Sequence, residues 1–349
     1  MKKRIIFVLS IAILFSLITN QLFAAECKIP SMPSEEEWQS WIEEAKLLAL
    51  EAGISKKTIN KLNNVKPQSK ILLRDRCQVE SIITLDEYLY YRLDKARIVA
   101  GKNIINKYQK ELKLISEFFN IQPRFIVSIL GLESYYGKNQ GKINTIEAVT
   151  TLAFDRRRSE FYKKQLIVAL KIIDEGMPFD NLVGSWGGAV GMPQFIPTTY
   201  MDSGYDWDDD NIVDIWSNYE DVFASIANYL TSIDKNPWNH KITWGFEVIP
   251  PNNISSIFNS LKQTNPKGCG AVKSRSVSKY LNEWQKLGFR SIENADLPKI
   301  KNIEARLVSP DGINGRMFLV YQNYKNILYY NCSSYYAIAI GLLSDEFQN

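Results

Sequence analysis

Glu133 is the first residue in this chain that needs a chemical explanation. It stands in "IQPRFIVSILGLESYYGK" (residues 121–138), an apolar segment in which an ionisable group is costly unless it is paired or protonated. Pro123 suits the first position of a helix and Gly137 a stop, which predicts a helix of about fourteen residues. At about 100° per residue, Phe125, Ile126, Ile129, Leu130 and Leu132 share one arc, and Glu133 falls inside it. The carboxyl therefore points inward. It also sits in the last turn, where the negative end of the helix dipole disfavours an anion. Burial and dipole act together to keep the proton on, and such an acid is suited to protonating a glycosidic oxygen. The plainer alternative is an inward ion pair with Arg157 or Arg158.

A second constellation is "DWDDDNIVDIW". It places Asp206, Asp208, Asp210 and Asp214 at positions 1, 3, 5 and 9 of a loop that could wrap oxygens around a hard cation, with the Ile212 carbonyl at position 7. Asn211 replaces the usual glycine at position 6, which its tolerance of the left-handed region allows. Ser217 stands at position 12 where a calcium loop has glutamate. The expected occupant is a structural calcium ion rather than a catalyst, and the alternative is a solvated acidic turn.

Several chemistries are excluded cheaply. The single histidine, His240, lies in the polar stretch "DKNPWNHKITW" and reads as solvent-facing. Zinc sites with two or three histidines are impossible, and a Ser/His/Asp apparatus would have to run through it alone. No Gly-rich turn between strand and helix marks a nucleotide, so no organic cofactor is expected. Lysine and arginine total 42 against 38 aspartate and glutamate. Three of the basic residues, Lys2, Lys3 and Arg4, open the chain, so the remainder is nearly neutral and carries no basic stripe for nucleic acid.

The elements that must position these residues are mostly helical. Residues 1–24 combine that basic head with an apolar run from Ile5 to Ile18 and small residues at Ala24 and Ala25, the pattern of a cleaved export signal. Polar Thr19, Asn20 and Gln21 interrupt the run too early for a retained span, and Glu26 disfavours lipid attachment at Cys27. A soluble, periplasmic chain is expected. Four cysteines, Cys27, Cys77, Cys269 and Cys332, suit an oxidising compartment. Of the three pairings, Cys27–Cys77 with Cys269–Cys332 keeps each pair within one half of the chain. "SEEEWQSWIEEAKLLALEAG" opens on a Ser cap and ends at Gly53 as an amphipathic helix should. Helices continue to about Asn120, from about Thr145, and near Arg156 to Glu175. Gly184 to Trp216 is rich in Gly, Pro and Asp and reads as irregular. Helix resumes at "EDVFASIANYLTSI". Beyond Ile242, "ITWGFEVI", "ARLVSP", "MFLVYQ" and "NILYYN" read as short antiparallel strands, and "SYYAIAIGLLSDEF" as a closing helix.

"SILGLESYYGKNQGKINTIEAVTTLAFDRRRSEF", "GSWGGAVGMPQFIPTTY", "DWDDDNIVDIW", "ASIANYL" and "SPDGINGRMFLVYQNYKNILYYNCSSYYAIAIGLL" occur in order. Together they resemble the lytic murein transglycosylase B family, over nearly the whole stretch from about Pro33 to Phe347. The resemblance implies an α+β, mainly α fold: an N-terminal helical region (25–115), a lysozyme-like catalytic core with the acidic loop (116–240), a small antiparallel β subdomain (241–320), and a C-terminal strand and helix completing the core (321–349). It implies cleavage of peptidoglycan between N-acetylmuramic acid and N-acetylglucosamine, with Glu133 as sole acid and base and a 1,6-anhydro product. A hydrolytic muramidase using the same glutamate and a non-catalytic peptidoglycan-binding protein are the alternatives. A retaining hydrolase would want a second carboxylate ~5–5.5 Å away and an inverting one ~6.5–9.5 Å away. Glu147, Asp155 and Glu160 have no setting that marks them for either role.

By resemblance, Tyr88 packs on the sugar, Arg157 and Arg158 lie near the stem peptide, Ser185 and Gln194 make polar sugar contacts, and Tyr229, Tyr330, Asn331 and Tyr336 form the far wall. Asp221, with Glu220 as alternative, closes the metal loop. The segment "FDRRRSEF" departs from relatives that carry a proline and one more residue there. The partners implied are glycan strands and, beyond them, other cell-wall enzymes.

Overall fold

The computed structural model describes residues 31–76, 83–232 and 237–348; the leader and the Cys27–Cys77 pairing lie outside them. The described residues fall into two compact units, one within Met1–Ser81 and Ile143–Gly188, the other within Ile82–Lys142 and Ala189–Asn349. Among the described residues, no helix is long and apolar enough to cross a membrane.

The first unit begins with the helix Glu35–Glu51, set by a capping box. The Ser34 Oγ accepts the Glu37 N–H at 3.2 Å, and the Glu37 carboxylate accepts the Ser34 N–H at 2.8 Å. Its buried face carries Trp38 and Trp41, whose indole N–H groups donate to the carbonyls of Val65 (3.0 Å) and Thr150 (3.2 Å). Helices Thr145–Phe154 and Ser159–Asp174 pack against each other, and a two-stranded ribbon pairs Ile143–Asn144 with Val183–Gly184.

The second unit holds the glutamate helix, Pro123–Ser134. Phe125, Ile126, Ile129 and Leu130 on it are wholly buried, as the arc predicts. It ends three residues before Gly137, because Tyr135 and Tyr136 both enter the left-handed region at φ 53° and 58°. Their N–H groups close on the carbonyls of Gly131 (3.2 Å) and Leu130 (3.1 Å). The last helix, Ser334–Asp345, runs antiparallel to it. One end is tied by Arg124 Nη1 donating to Asp345 at 3.0 Å, and the other by Tyr336 and Glu133. Burial raises the Asp345 carboxyl, while donors from Trp244 and Arg124 favour its charged form. Gly341 is required in this helix because the Trp244 ring occupies the space a Cβ would fill.

Five short antiparallel strands lie side by side in the order Ser278–Tyr280, Glu304–Val308, Met317–Val320, Gly245–Ile249, Arg290–Ser291. Trp284, Phe289, Leu307, Met317 and Leu319 fill their core. Three of the four expected strands are present. The fourth, "NILYYN", is instead part of the helix Gln322–Tyr330. Its β-branched and aromatic content suits a strand, but buried Tyr324, Ile327 and Leu328 repeat at helical spacing. Asn326 fastens that face by donating to the Leu230 carbonyl at 2.9 Å. The Cys269–Cys332 bridge is formed, with Cα atoms 6.3 Å apart.

Candidate active site

Glu133 is half-buried, on the last turn of an otherwise buried helix. The Tyr336 hydroxyl donates to its Oε1 at 2.6 Å. Tyr336 itself is 4% exposed. Burial first, then the Glu133 charge, then Tyr330 hold this hydroxyl well above the ordinary phenol range, so Tyr336 remains a donor at any physiological pH. Tyr330 is raised in the same way, by burial, then by Glu133, then by Tyr229. The acid whose charge bears on both hydroxyls is thus Glu133.

The aromatic rings behind the carboxyl form a continuous wall. Tyr330 stacks on Tyr336 (centroids 6.5 Å) and meets Tyr229 edge-on (4.9 Å), with Phe195 5.8 Å from both Tyr229 and Tyr330. Each hydroxyl has a definite acceptor: Tyr330 donates to the Pro193 carbonyl and Tyr229 to the Tyr329 carbonyl, both at 2.6 Å. Tyr88, 5% exposed, lies against Tyr335 with the Arg92 guanidinium 5.4 Å from its ring centroid. Asn331 is exposed at the end of the Gln322–Tyr330 helix.

A tight turn carries Gln194. Val190 and Phe195 pair through two backbone hydrogen bonds, and Gln194 takes a left-handed φ of 53°. Its side-chain amide donates to the carbonyls of Gln140 (3.0 Å) and Gly191 (2.8 Å). Gly191 has φ 68°, and a Cβ there would lie 2.7 Å from the Ile215 carbonyl oxygen. Its glycine therefore serves close backbone packing within the protein.

Ser185, Arg157 and Arg158 belong to the other unit. Both arginines converge on Asp75, 3% exposed, and Arg157 also reaches the Asp75 carbonyl at 2.9 Å. Sequence reasoning missed Asp75. The signal was available, since Asp75 shares a helical face with buried Ile71 and Leu72, the same inward-pointing acid pattern that marks Glu133. The Ser185 carbonyl accepts the Gly188 N–H at 3.0 Å, closing a turn. Asp155 pairs with Arg76 at 2.7 Å and Glu160 with Lys163 at 3.4 Å. Glu147 accepts from Gln68 at 3.4 Å.

In the acidic loop, Asp206, Asp208 and Asp210 bring carboxylate oxygens within 4.8 Å of one another, an all-oxygen donor set that fits a hard cation. Asn211 takes the expected left-handed conformation at φ 69°. Ile212 is 61% exposed, and its N–H donates to Asp210 at 2.8 Å. Asp214 and Asp221 are turned toward the loop's own backbone. Asp214 accepts from the N–H groups of Trp216 and Ser217 at 2.9 Å. Asp221 is buried and accepts from Trp207 and Asp214 at 2.8 Å. The lone His240 is exposed, as expected.

Residues 37–345 match a protein family described as "Transglycosylase SLT domain". The crystal structure of SltB3 from Pseudomonas aeruginosa in complex with NAG-anhNAM-pentapeptide is similar at TM-score 0.79 and 35% identity, over 89% of this chain and 79% of that one. The Escherichia coli lytic transglycosylase SLT35 in complex with calcium gives TM-score 0.69 at 22% identity, over 89% and 92% of the two chains, a likeness of fold. Membrane-bound lytic murein transglycosylase B of Escherichia coli K12 is 33% identical over 126 residues, which are 36% of this chain and 35% of that protein. The match thus spans about a third of that relative's length.

Proposed function

The chain belongs to the transglycosylase SLT domain family of lytic transglycosylases, and from that premise we propose a specific reaction: it cleaves the β-1,4 bond between N-acetylmuramic acid and N-acetylglucosamine in peptidoglycan, leaving a 1,6-anhydro end. The observation that carries this reading is a half-buried Glu133 whose Oε1 is fixed by a hydroxyl that stays protonated. Glu133, as the acid, gives its proton to the glycosidic oxygen while the C1–O bond breaks. The 6-hydroxyl of the same muramic acid then closes on C1, and its proton returns to the Glu133 carboxylate. Water is not consumed, and one carboxyl serves both steps. The aromatic wall of Tyr229, Tyr330 and Tyr336 supports sugar-ring packing beside that carboxyl. Mass spectrometry of muropeptides released from purified cell walls tests the reaction. Anhydro ends are expected, and reducing ends alone would overturn it.

Replacing Tyr336 with Phe removes a hydrogen bond whose acceptor becomes charged as Glu133 gives up its proton, an interaction then worth roughly 1.5–3 kcal/mol. The turnover number is expected to fall about 10- to 100-fold, with KM little changed. The lost donor favoured the anion, so the alkaline limb of the pH–rate profile should move to higher pH. An unmoved limb would mean the hydroxyl does not act on the acid.

Calcium is the proposed occupant of the Asp206, Asp208 and Asp210 cluster, with a structural role. Saturating calcium at about 100 times its Kd should add about 2.7 kcal/mol of stability, read as a higher melting temperature. Chelation should reverse the shift, and Asp208→Asn with Asp210→Asn should abolish it. Peptidoglycan as substrate implies a periplasmic or extracellular site of action, and the leader pattern at residues 1–24 supports export to the periplasm.

A further inference from the structure

The small sheet carries a groove that the reaction above does not use. It has a volume of about 830 Å³, within the range of ligand sites. Lys286, Arg290, Lys299 and Lys301 line it, and no carboxylate does. None of the four makes an ion pair among the described residues. Four like charges around one concavity repel each other, in a chain whose charges otherwise nearly balance, and an anion relieves that repulsion.

The groove is also held in shape. Arg290 Nη1 donates to the carbonyls of Gln285 (3.0 Å) and Phe289 (2.8 Å), which fixes the guanidinium plane. The Gln285 side chain accepts the Leu297 N–H at 2.8 Å, tying the helix Leu281–Lys286 to the segment that bears Lys299 and Lys301. At the rim, Tyr280 is 46% exposed, and the amide of Asn302 lies in the lining. A fixed guanidinium and three ammonium groups suit several carboxylates at once, while an open aromatic face and an amide suit an N-acetylated sugar.

We propose that this groove binds peptidoglycan itself, through the carboxylates of stem peptides beside the sugar strand, as an attachment point separate from Glu133. The assignment of the polymer rests on the function proposed above. Anchoring here would keep the enzyme on its insoluble substrate between cleavage events.

The test uses the full chain carrying Glu133→Gln, so that binding is measured without digestion. Co-sedimentation with purified cell-wall sacculi at low salt should fall roughly tenfold in affinity when Lys299→Glu and Lys301→Glu are added. The neutral pair Lys299→Gln and Lys301→Gln should give a smaller loss. Glycan strands stripped of stem peptides should bind both backgrounds alike. In the active chain, the charge-reversed pair should leave cleavage of a short soluble fragment unchanged and slow that of sacculi. Equal sedimentation of the reversed and parent chains would overturn the proposal, as would an undiminished preference on peptide-free strands or binding to anionic phospholipid vesicles in place of sacculi. Failure of the active chain to cut any peptidoglycan would instead refute the proposed reaction and leave the binding result to be read by itself.

Discussion

Glu133→Gln is expected to lower the rate of glycan cleavage by about 10²- to 10⁴-fold, the usual contribution of a positioned acid–base group. The substitution keeps the size of the side chain and leaves its carbonyl oxygen to accept the Tyr336 hydroxyl, which in the parent chain lies 2.6 Å from Oε1. Stability should therefore change little, and the loss should be of chemistry alone. Turbidity clearance of sacculi together with a thermal melt would separate the two. Glu133→Asp should fall between, since a side chain one methylene shorter draws the carboxyl away from both the hydroxyl and the glycosidic oxygen. A Gln variant that retained near-full activity would mean that the proton comes from elsewhere.

The second large effect is on stability. Cys269 and Cys332 close a loop of 63 residues, and a loop of that length is worth about 4 kcal/mol through the entropy of the unfolded chain. Replacing both cysteines with serine, or reducing the bridge, should lower the melting temperature of its unit by roughly 10 °C. Cys332 lies between the helices Gln322–Tyr330 and Ser334–Asp345, next to Tyr330, Asn331 and Tyr336. Activity should therefore be lost on warming before the rest of the unit unfolds. Calorimetry with and without reductant, beside activity at each temperature, checks this. Coincident melts with the bridge open and closed would remove the bridge from any account of the site's rigidity.

What the sequence made legible follows local rules. The Ser cap at the start of the first helix is legible locally, and the apolar arc around Glu133 predicts both burial and direction. Asn211 could be read as left-handed because its side chain tolerates that region. The strand reading fails where distant contacts decide. "NILYYN" has strand composition, but Asn323 and Asn326 hydrogen-bond to the carbonyls of Ile242 and Leu230, partners 81 and 96 residues away in sequence. The glutamate helix stops at Tyr135, ahead of the glycine that composition favours. A buried Asp75, which the sequence reading passes over, holds both Arg157 and Arg158. Asp214 and Asp221 accept backbone N–H groups nearby in the chain, which the spacing of the acidic residues alone does not reveal.

The tie between Arg124 and Asp345 has a mechanical side. A twelve-residue helix is about 18 Å long, so a swing of about 3° at one end carries the other through about 1 Å, a displacement that can cost on the order of 100-fold in rate. Under the proposed reaction, the Arg124–Asp345 pair would act as the fulcrum setting the aim of the Glu133 proton. Wear at that pivot would show up as misfiring catalysis, far from the place where the damage lies.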